Sequence, residues 1–543
     1  MAKSWLRSAW CMVAVGLGLQ VSASDVVDYA ALGKIKAEAF RNSKVMDHLF
    51  WLTDANGPRL TNSPGYVKAG GWAVKRLQEI GLASVRQEPW GPFGRGWNYS
   101  HYEGHLIEPA YASLVGFPLA WTKGTNGTVA GEPVYALLET DADLDKWRGK
   151  LTGRIVLVDP PKPQPLLSAP LSHRWTEAEL QDEAMAPDPG VTPCREFRLG
   201  ANGGPCPALS LADTVKRRVF RKKMQKFLAD EGAAVILQTG TGASTGGTVF
   251  GMSFGSADPT EWETPCTIAL TPEDYNRMVR LLERGVPVKA AFEVKAEFLK
   301  PVESFNVTAE IPGGRLKDEV VMIGAHLDSW AAGTGATDDA AGSAIAMEAM
   351  RILKESGLRL DRTVRVGLWA AEEQNLGGSR SYVKQRLADP RTMIPTKEHD
   401  RFSAYFNLDQ GGGRIRGVYL QGNEAARPVL ESWVAPLRDL GVSIVTIRDQ
   451  SADNKSFDEV GLPSFQFLQD DLEYATRTWH TNADVYDRVQ PGDMMQSAAV
   501  VASFLYHAAN REERMPRKPL PRPAPAASGS PLPVPSPTPA PLR

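Results

Sequence analysis

From residue 319 to residue 509 short apolar runs alternate with longer amphipathic stretches, and this rhythm limits the available folds more than any other feature of the chain. Residues 319–325 (EVVMIGA), 363–371 (TVRVGLWAA), 402–408 (FSAYFNL), 443–447 (SIVTI) and 464–468 (SFQFL) are short, apolar and rich in β-branched or aromatic side chains, which predicts buried strands. Residues 340–357, 378–388, 425–439 and 492–509 carry helical periodicity, the first closing on Gly357. Parallel neighbours cannot be joined by a tight turn, so strands separated by helices of this length imply crossovers. The expectation is an α/β fold with a mostly parallel central sheet flanked by helices.

The preceding chain divides in two. Residues 29–52 and 65–80 read as amphipathic helices, followed by an extended stretch from 82, and these are expected to join the later unit as a first part, 24–125. Residues 126–296 differ in texture: isolated strand signals at 153–159 (GRIVLVD) and 233–240 (AAVILQTG), a helix opened by Thr271-Pro272 and closed by Gly285, and a final alternating strand. This predicts an inserted smaller α/β domain, with the outer domain resuming over 297–512. Residues 216–228 form a helix whose basic residues are its solvated face beside an apolar stripe of Val219, Phe220, Met224, Phe227 and Leu228.

The ends have their own signatures. Lys3 and Arg7, an apolar run from Ala9 to Leu19 and Val21-Ser22-Ala23 predict a removable export signal over 1–23, about eleven apolar residues falling short of the roughly 20 that span a bilayer. Periplasmic or extracellular location and no stable membrane insertion after cleavage follow. Export permits a Cys194–Cys206 disulfide, leaving Cys266 as a buried thiol. Residues 513–543 are dominated by Pro, Ala and Ser, the composition of a disordered tail. Lys+Arg 61 against Asp+Glu 63 excludes the basic footprint of a nucleic-acid binder.

Ligands of open α/β sheets bind beyond the carboxyl ends of the strands. There the chain places His326-Leu327-Asp328, Asp338-Asp339, Glu372-Glu373 and Asp409, with His480 before the last helix. Singly, each has a structural explanation as a helix cap, turn former or hydrogen-bonded histidine. Together they would crowd carboxylates into one crevice, where like charges repel unless a cation is bound. Mixed imidazole and carboxylate donors suit zinc, and their number suits two ions sharing a carboxylate. Asp328 is placed to accept the free imidazole proton of His326.

Residues 324–344 (GAHLDSWAAGTGATDDAAGSA), 368–383 (LWAAEEQNLGGSRSYV), 407–412 (NLDQGG) and 479–487 (WHTNADVYD) resemble, in order, the metal motifs of the co-catalytic di-zinc aminopeptidases, a family of bacterial leucyl aminopeptidase and carboxypeptidase Q-like enzymes. The resemblance implies two zinc ions per chain, His326 and Asp409 on one, Glu373 and His480 on the other, and Asp338 bridging. It implies Glu372 as general base for a bridging hydroxide, Asp328 as partner of His326, and a cis Asp338–Asp339 peptide. The inserted segment resembles a protease-associated domain. Where some members carry Tyr before the last histidine this chain has Trp479, whose indole donates only through N–H.

The expected function is an exported zinc exopeptidase, an aminopeptidase or dipeptidase, acting on peptides near a free amino terminus. Arg477, three residues before His480, is the candidate partner for a dipeptide carboxylate, with Trp479 as a second substrate contact. The alternatives on the same fold are a single-zinc glutaminyl cyclase-like enzyme and a non-catalytic receptor-like protein. A serine hydrolase is suggested only by Gly251-Met252-Ser253-Phe254-Gly255, which lacks the following helix that a nucleophile elbow needs. Side-chain preference and oligomeric state, a homodimer included, are left open.

Overall fold

A computed structural model describes residues 26–164, 166–186, 211–240 and 246–523. The expected export signal, the Cys194–Cys206 pair and residues 524–543 of the tail lie outside them.

The larger sheet has ten strands, nine of them in the order Ile444–Thr446, Ile415–Tyr419, Ser464–Gln469, Phe402–Asn407, Leu316–His326, Arg362–Trp369, Lys289–Ile311, Ala83–Glu108, Ala112–Ser113. Its centre is parallel: Leu316–His326 lies between Arg362–Trp369 and Phe402–Asn407, and the latter pairs with Ser464–Gln469. The flanks are antiparallel, through Lys289–Ile311 on one side and Ile415–Tyr419 on the other. Arg362–Trp369 and Phe402–Asn407 are buried along their whole length, as parallel strands covered on both faces must be. Helices Ala341–Glu355 and Pro491–Asn510, buried almost end to end, fill the space between this sheet and the outer helices.

Several elements depart from expectation. The helix expected over 29–52 is two, Tyr29–Arg41 and Val45–Leu52, broken at Asn42-Ser43-Lys44. Asn and Ser there favour local capping over helix continuation, and the Asn42 N–H closes the first helix on Glu38 O. Residues 425–439 form a helix only over Arg427–Val434, with tight turns on either side. The strand Ile415–Tyr419 was not foreseen.

A second sheet of five strands, Gly116–Pro118, Cys266–Leu270, Val235–Thr239, Ile155–Leu157 and Val134–Tyr135, is packed by Leu211–Glu231 and Pro272–Glu283. Its first strand precedes residue 126, and Lys289–Ile311 runs unbroken through the expected boundary at 296/297. On Leu211–Glu231 the buried stripe comprises Met224, Phe227 and Leu228, whereas Val219 is exposed. Cys266 is a buried free thiol, which burial pushes up to about 12.

The expected tail begins on the body. Met515 is buried, Asn423 donates to Pro516 O at 2.8 Å, Arg517 to Phe402 O at 2.6 Å and Lys518 to Gln421 O at 2.8 Å. These hydrogen bonds, to the start of Phe402–Asn407 and to the turn after Ile415–Tyr419, offset the ordering of a segment whose composition alone predicts disorder. No helix among the described residues is long and apolar enough to cross a membrane.

Candidate metal centre

The carboxyl ends of the three central strands meet at one cavity. His326 is the last residue of its strand, Glu372 and Glu373 follow Arg362–Trp369, and Asp409 follows Phe402–Asn407. Asp338 sits in the irregular turn leading into Ala341–Glu355, across a cis Asp338–Asp339 peptide. Asp339 does not face the cavity: it accepts from His326 N and Gly342 N at 3.1 and 3.0 Å, pinning the turn to the strand end.

Two donor groups result, His326 with Asp338 and Asp409, and Asp338 with Glu373 and His480. His326 Nε2 lies 3.1 Å from Asp338 Oδ1 and 3.8 Å from Asp409 Oδ1. His480 Nε2 lies 3.2 Å from Asp338 Oδ2 and 3.0 Å from Glu373 Oε2. Asp338 therefore offers one oxygen to each group. His326 Nδ1 lies 2.9 Å from the main-chain carbonyl of Asp328, which can only accept; the proton belongs on Nδ1 and the Nε2 lone pair faces the carboxylates.

Asp328 is thus the partner of His326 chiefly through its carbonyl. Its carboxylate is 3.7 Å from the imidazole and instead accepts the Glu372 N–H at 3.1 Å, so it fixes the backbone of the glutamate pair. Arg477 departs from expectation: it is not among the cavity-lining residues, and its guanidinium pairs with Glu473 at 3.4 Å. Trp479 does line the cavity, stacked on the His480 ring at 3.7 Å. No helix follows Ser253, as the hydrolase motif would require.

The charge balance is that of a cation site. Burial pulls His480 down, but Glu373 and Asp338 raise it to about 10; His326, likewise buried, is raised well above its usual range by Asp328, Asp338 and Asp409. Burial raises Asp338, yet the two histidines hold it below the usual carboxylate range. Burial pushes Glu373 up to about 7 and Glu372 well above its ordinary value. Asp338 Oδ2 and Glu373 Oε1 are buried without a hydrogen-bond partner among the described residues.

Further contributors were not assigned to the site from sequence. Asp484 accepts from Thr337 N and Oγ1 at 2.6 and 2.7 Å and from Asp338 N at 3.2 Å, setting the turn that carries Asp338. Buried Arg59 donates to the carbonyls of Leu52, Leu327, Thr334 and Gly335 around the same loop. Tyr474 puts its hydroxyl 3.4 Å from Asp409 Oδ1, its ring against Gly411, where a Cβ would meet Tyr474 Cβ at 3.0 Å and φ is +83°. From the second sheet's side, Gly251 N donates to His480 O at 2.8 Å and the Phe250 ring lies 5.6 Å from that of His480. Asp484 and Gly411 lay within recognised motifs and Gly251 within the discounted hydrolase pattern; Arg59, Tyr474 and Phe250 had no local signal.

Residues 306–505 match the model of peptidase family M28. That match makes this segment, less than half of the chain, similar to the family. Within the curated proteins, carboxypeptidase Q of Pongo abelii is 32% identical over 251 residues, 46% of this chain and 51% of that protein. The chain thus spans about half the length of the curated relatives it matches. The structure of a peptidase M28 precursor from Shewanella amazonensis SB2B has a TM-score of 0.64 at 24% identity, covering 91% of this chain and 98% of the other. That of BSAP, a zinc aminopeptidase from Bacillus subtilis, has a TM-score of 0.54 at 17% identity over 86% and 95%. At those identities the two structures establish the fold. In the M28 segment lie all the donors of both groups.

Proposed function

We propose that the chain is a zinc-dependent exopeptidase that hydrolyses the peptide bond next to a free amino terminus, with two zinc ions per chain. The observation that carries the proposal is Asp338 shared between two donor triads, with buried oxygens on Asp338 and Glu373 that no hydrogen bond satisfies. Two histidines do not neutralise the carboxylates crowded here, and a divalent cation in each triad would supply the missing charge and the ligand that these oxygens lack. His326, Asp409 and Asp338 would hold one ion; Glu373, His480 and Asp338 the other. When bound, the metals supply Lewis acidity that activates water and polarises the scissile carbonyl.

The chain's own residues then divide the remaining work. Glu372, beside the triads but in neither, takes a proton from the attacking water and returns it to the leaving amine. Asp328 holds the Glu372 main chain, and so the direction of its side chain. The Tyr474 hydroxyl is a donor on the cavity wall and can meet a carbonyl oxygen as it gains charge. The unit carrying the second sheet, which resembles a protease-associated domain, would limit access to small peptides. Two complete triads favour this reading over a single-zinc cyclase or a metal-free receptor. The basic, apolar and small-residue pattern of residues 3–23 supports action outside the cytoplasm.

Metal analysis with activity on aminoacyl substrates tests the proposal. About two zinc ions per chain, loss of activity on chelation and its return with zinc are expected; full activity in metal-free protein would overturn it.

A further inference from the structure

The cavity beside the two triads has a volume of about 210 Å³, and its walls beyond the metal donors and Glu372 are Gln410, Gln450, Ser451, Asp471, Tyr474, Ala475 and Trp479. Among the described residues no lysine, arginine or branched aliphatic residue lines it. An aliphatic substrate side chain would strip water from a carboxylate and two amides without replacing their hydrogen bonds, at a net cost. A cationic side chain would find an ion-pair partner and two aromatic rings.

We propose that Asp471 makes this pocket selective for a basic residue, lysine or arginine, at the substrate's amino terminus. The inference rests on the exopeptidase reading and adds its substrate class.

Asp471 is a carboxylate that the metal chemistry does not use. Its side chain is 42% exposed, against 5% for Asp338 and Glu373, which places it at the rim. The substrate α-amine is one carbon from the scissile carbonyl and must lie near the reacting centre; a lysine or arginine ammonium or guanidinium reaches several ångströms beyond.

His173 offsets Asp471 only in part, because it is shared with Glu179. Its Nδ1 makes an ion pair with Asp471 Oδ2 at 3.6 Å, while its Nε2 lies closer to Glu179 Oε2, at 3.0 Å. One imidazolium between two carboxylates leaves the trio net negative. Position is fixed as well: His173 and Leu472 exchange main-chain hydrogen bonds at 2.9 and 2.7 Å, anchoring the chain next to Asp471.

The test compares 4-nitroanilides of Lys, Arg, Leu and Glu on zinc-loaded wild type and Asp471→Asn. Kcat/KM for Lys and Arg should exceed that for Leu by about three- to tenfold, the range for a partly exposed ion pair with aromatic support, and Asp471→Asn should remove most of the difference. Without turnover, calorimetry should show L-lysine binding more tightly than L-leucine, the two converging in Asp471→Asn. A wild-type preference for Leu, or a Lys-to-Leu ratio unmoved by Asp471→Asn, overturns the inference and leaves the exopeptidase reading standing. Cleavage of amino-blocked peptides with no hydrolysis of any aminoacyl nitroanilide overturns both.

Discussion

Glu372 and Glu373 are adjacent in the chain and lie on different sides of the chemistry. Glu373 Oε2 approaches His480 and belongs to a donor triad, whereas Glu372 belongs to neither. Glu372→Gln should therefore leave zinc content and thermal stability near wild type while kcat falls by about 10²–10⁴-fold, since it removes proton transfer and no donor. Glu373→Gln should lower zinc content toward one ion per chain. Metal analysis and steady-state kinetics on the two variants check this, and reversed phenotypes would shift the assignment by one residue. The residues at the ends of the central strands were legible in sequence because strand rhythm and motif order place them. Arg59, Tyr474 and Gly251 were not: each reaches the site through a tertiary contact from a segment with no metal donor of its own. Arg477 shows the converse, since closeness to His480 in the chain suggested a role that its pairing with Glu473 does not support.

Among the elements, the parallel strands were read correctly because full burial gives them continuous apolar runs. The antiparallel pair Ala83–Glu108 and Lys289–Ile311 was legible only in part. These 26- and 23-residue strands contain several register shifts that break the alternation marking a regular strand. Within the second sheet's unit, Asp159 accepts from Thr239 N at 3.0 Å, and burial pushes it up to about 7, with the Thr239 bond and Arg221 opposing. A carboxyl whose folded value exceeds its unfolded value of about 3.9 contributes stability that is complete below that value and lost as pH rises through about 7. Asp159→Asn keeps an acceptor without the charge. It should be more stable than wild type at about pH 8.5, by on the order of 2–4 kcal/mol, and show no such gain at about pH 4, as read by urea unfolding.

At the scale of the whole molecule, the centre joins parts distant in sequence, so its charge state bears on global stability. In metal-free protein, burial pushes Asp453 and Asp484 up to about 7, and the carboxylates raise His480 to about 10 and His326 well above its usual range. For the two aspartates the folded value exceeds the unfolded one, so their contribution is whole below about pH 4 and lost as pH rises through about 7. The histidines have the same sign: their contribution is whole below about pH 6.5 and lost as pH rises through their folded values. Asp338, held low, acts oppositely, but its contribution is lost only at acid pH. These groups of the centre therefore destabilise the metal-free protein as pH rises above about 5. Bound cations favour ionised carboxylates and neutral imidazoles, the forms that higher pH supplies. The difference in Tm between zinc-loaded and chelator-treated protein should then widen from about pH 5.5 to about pH 8.5. Differential scanning calorimetry at the two pH values measures it. A difference that stayed constant or narrowed would show that the donor cluster is not linked to zinc through these protons.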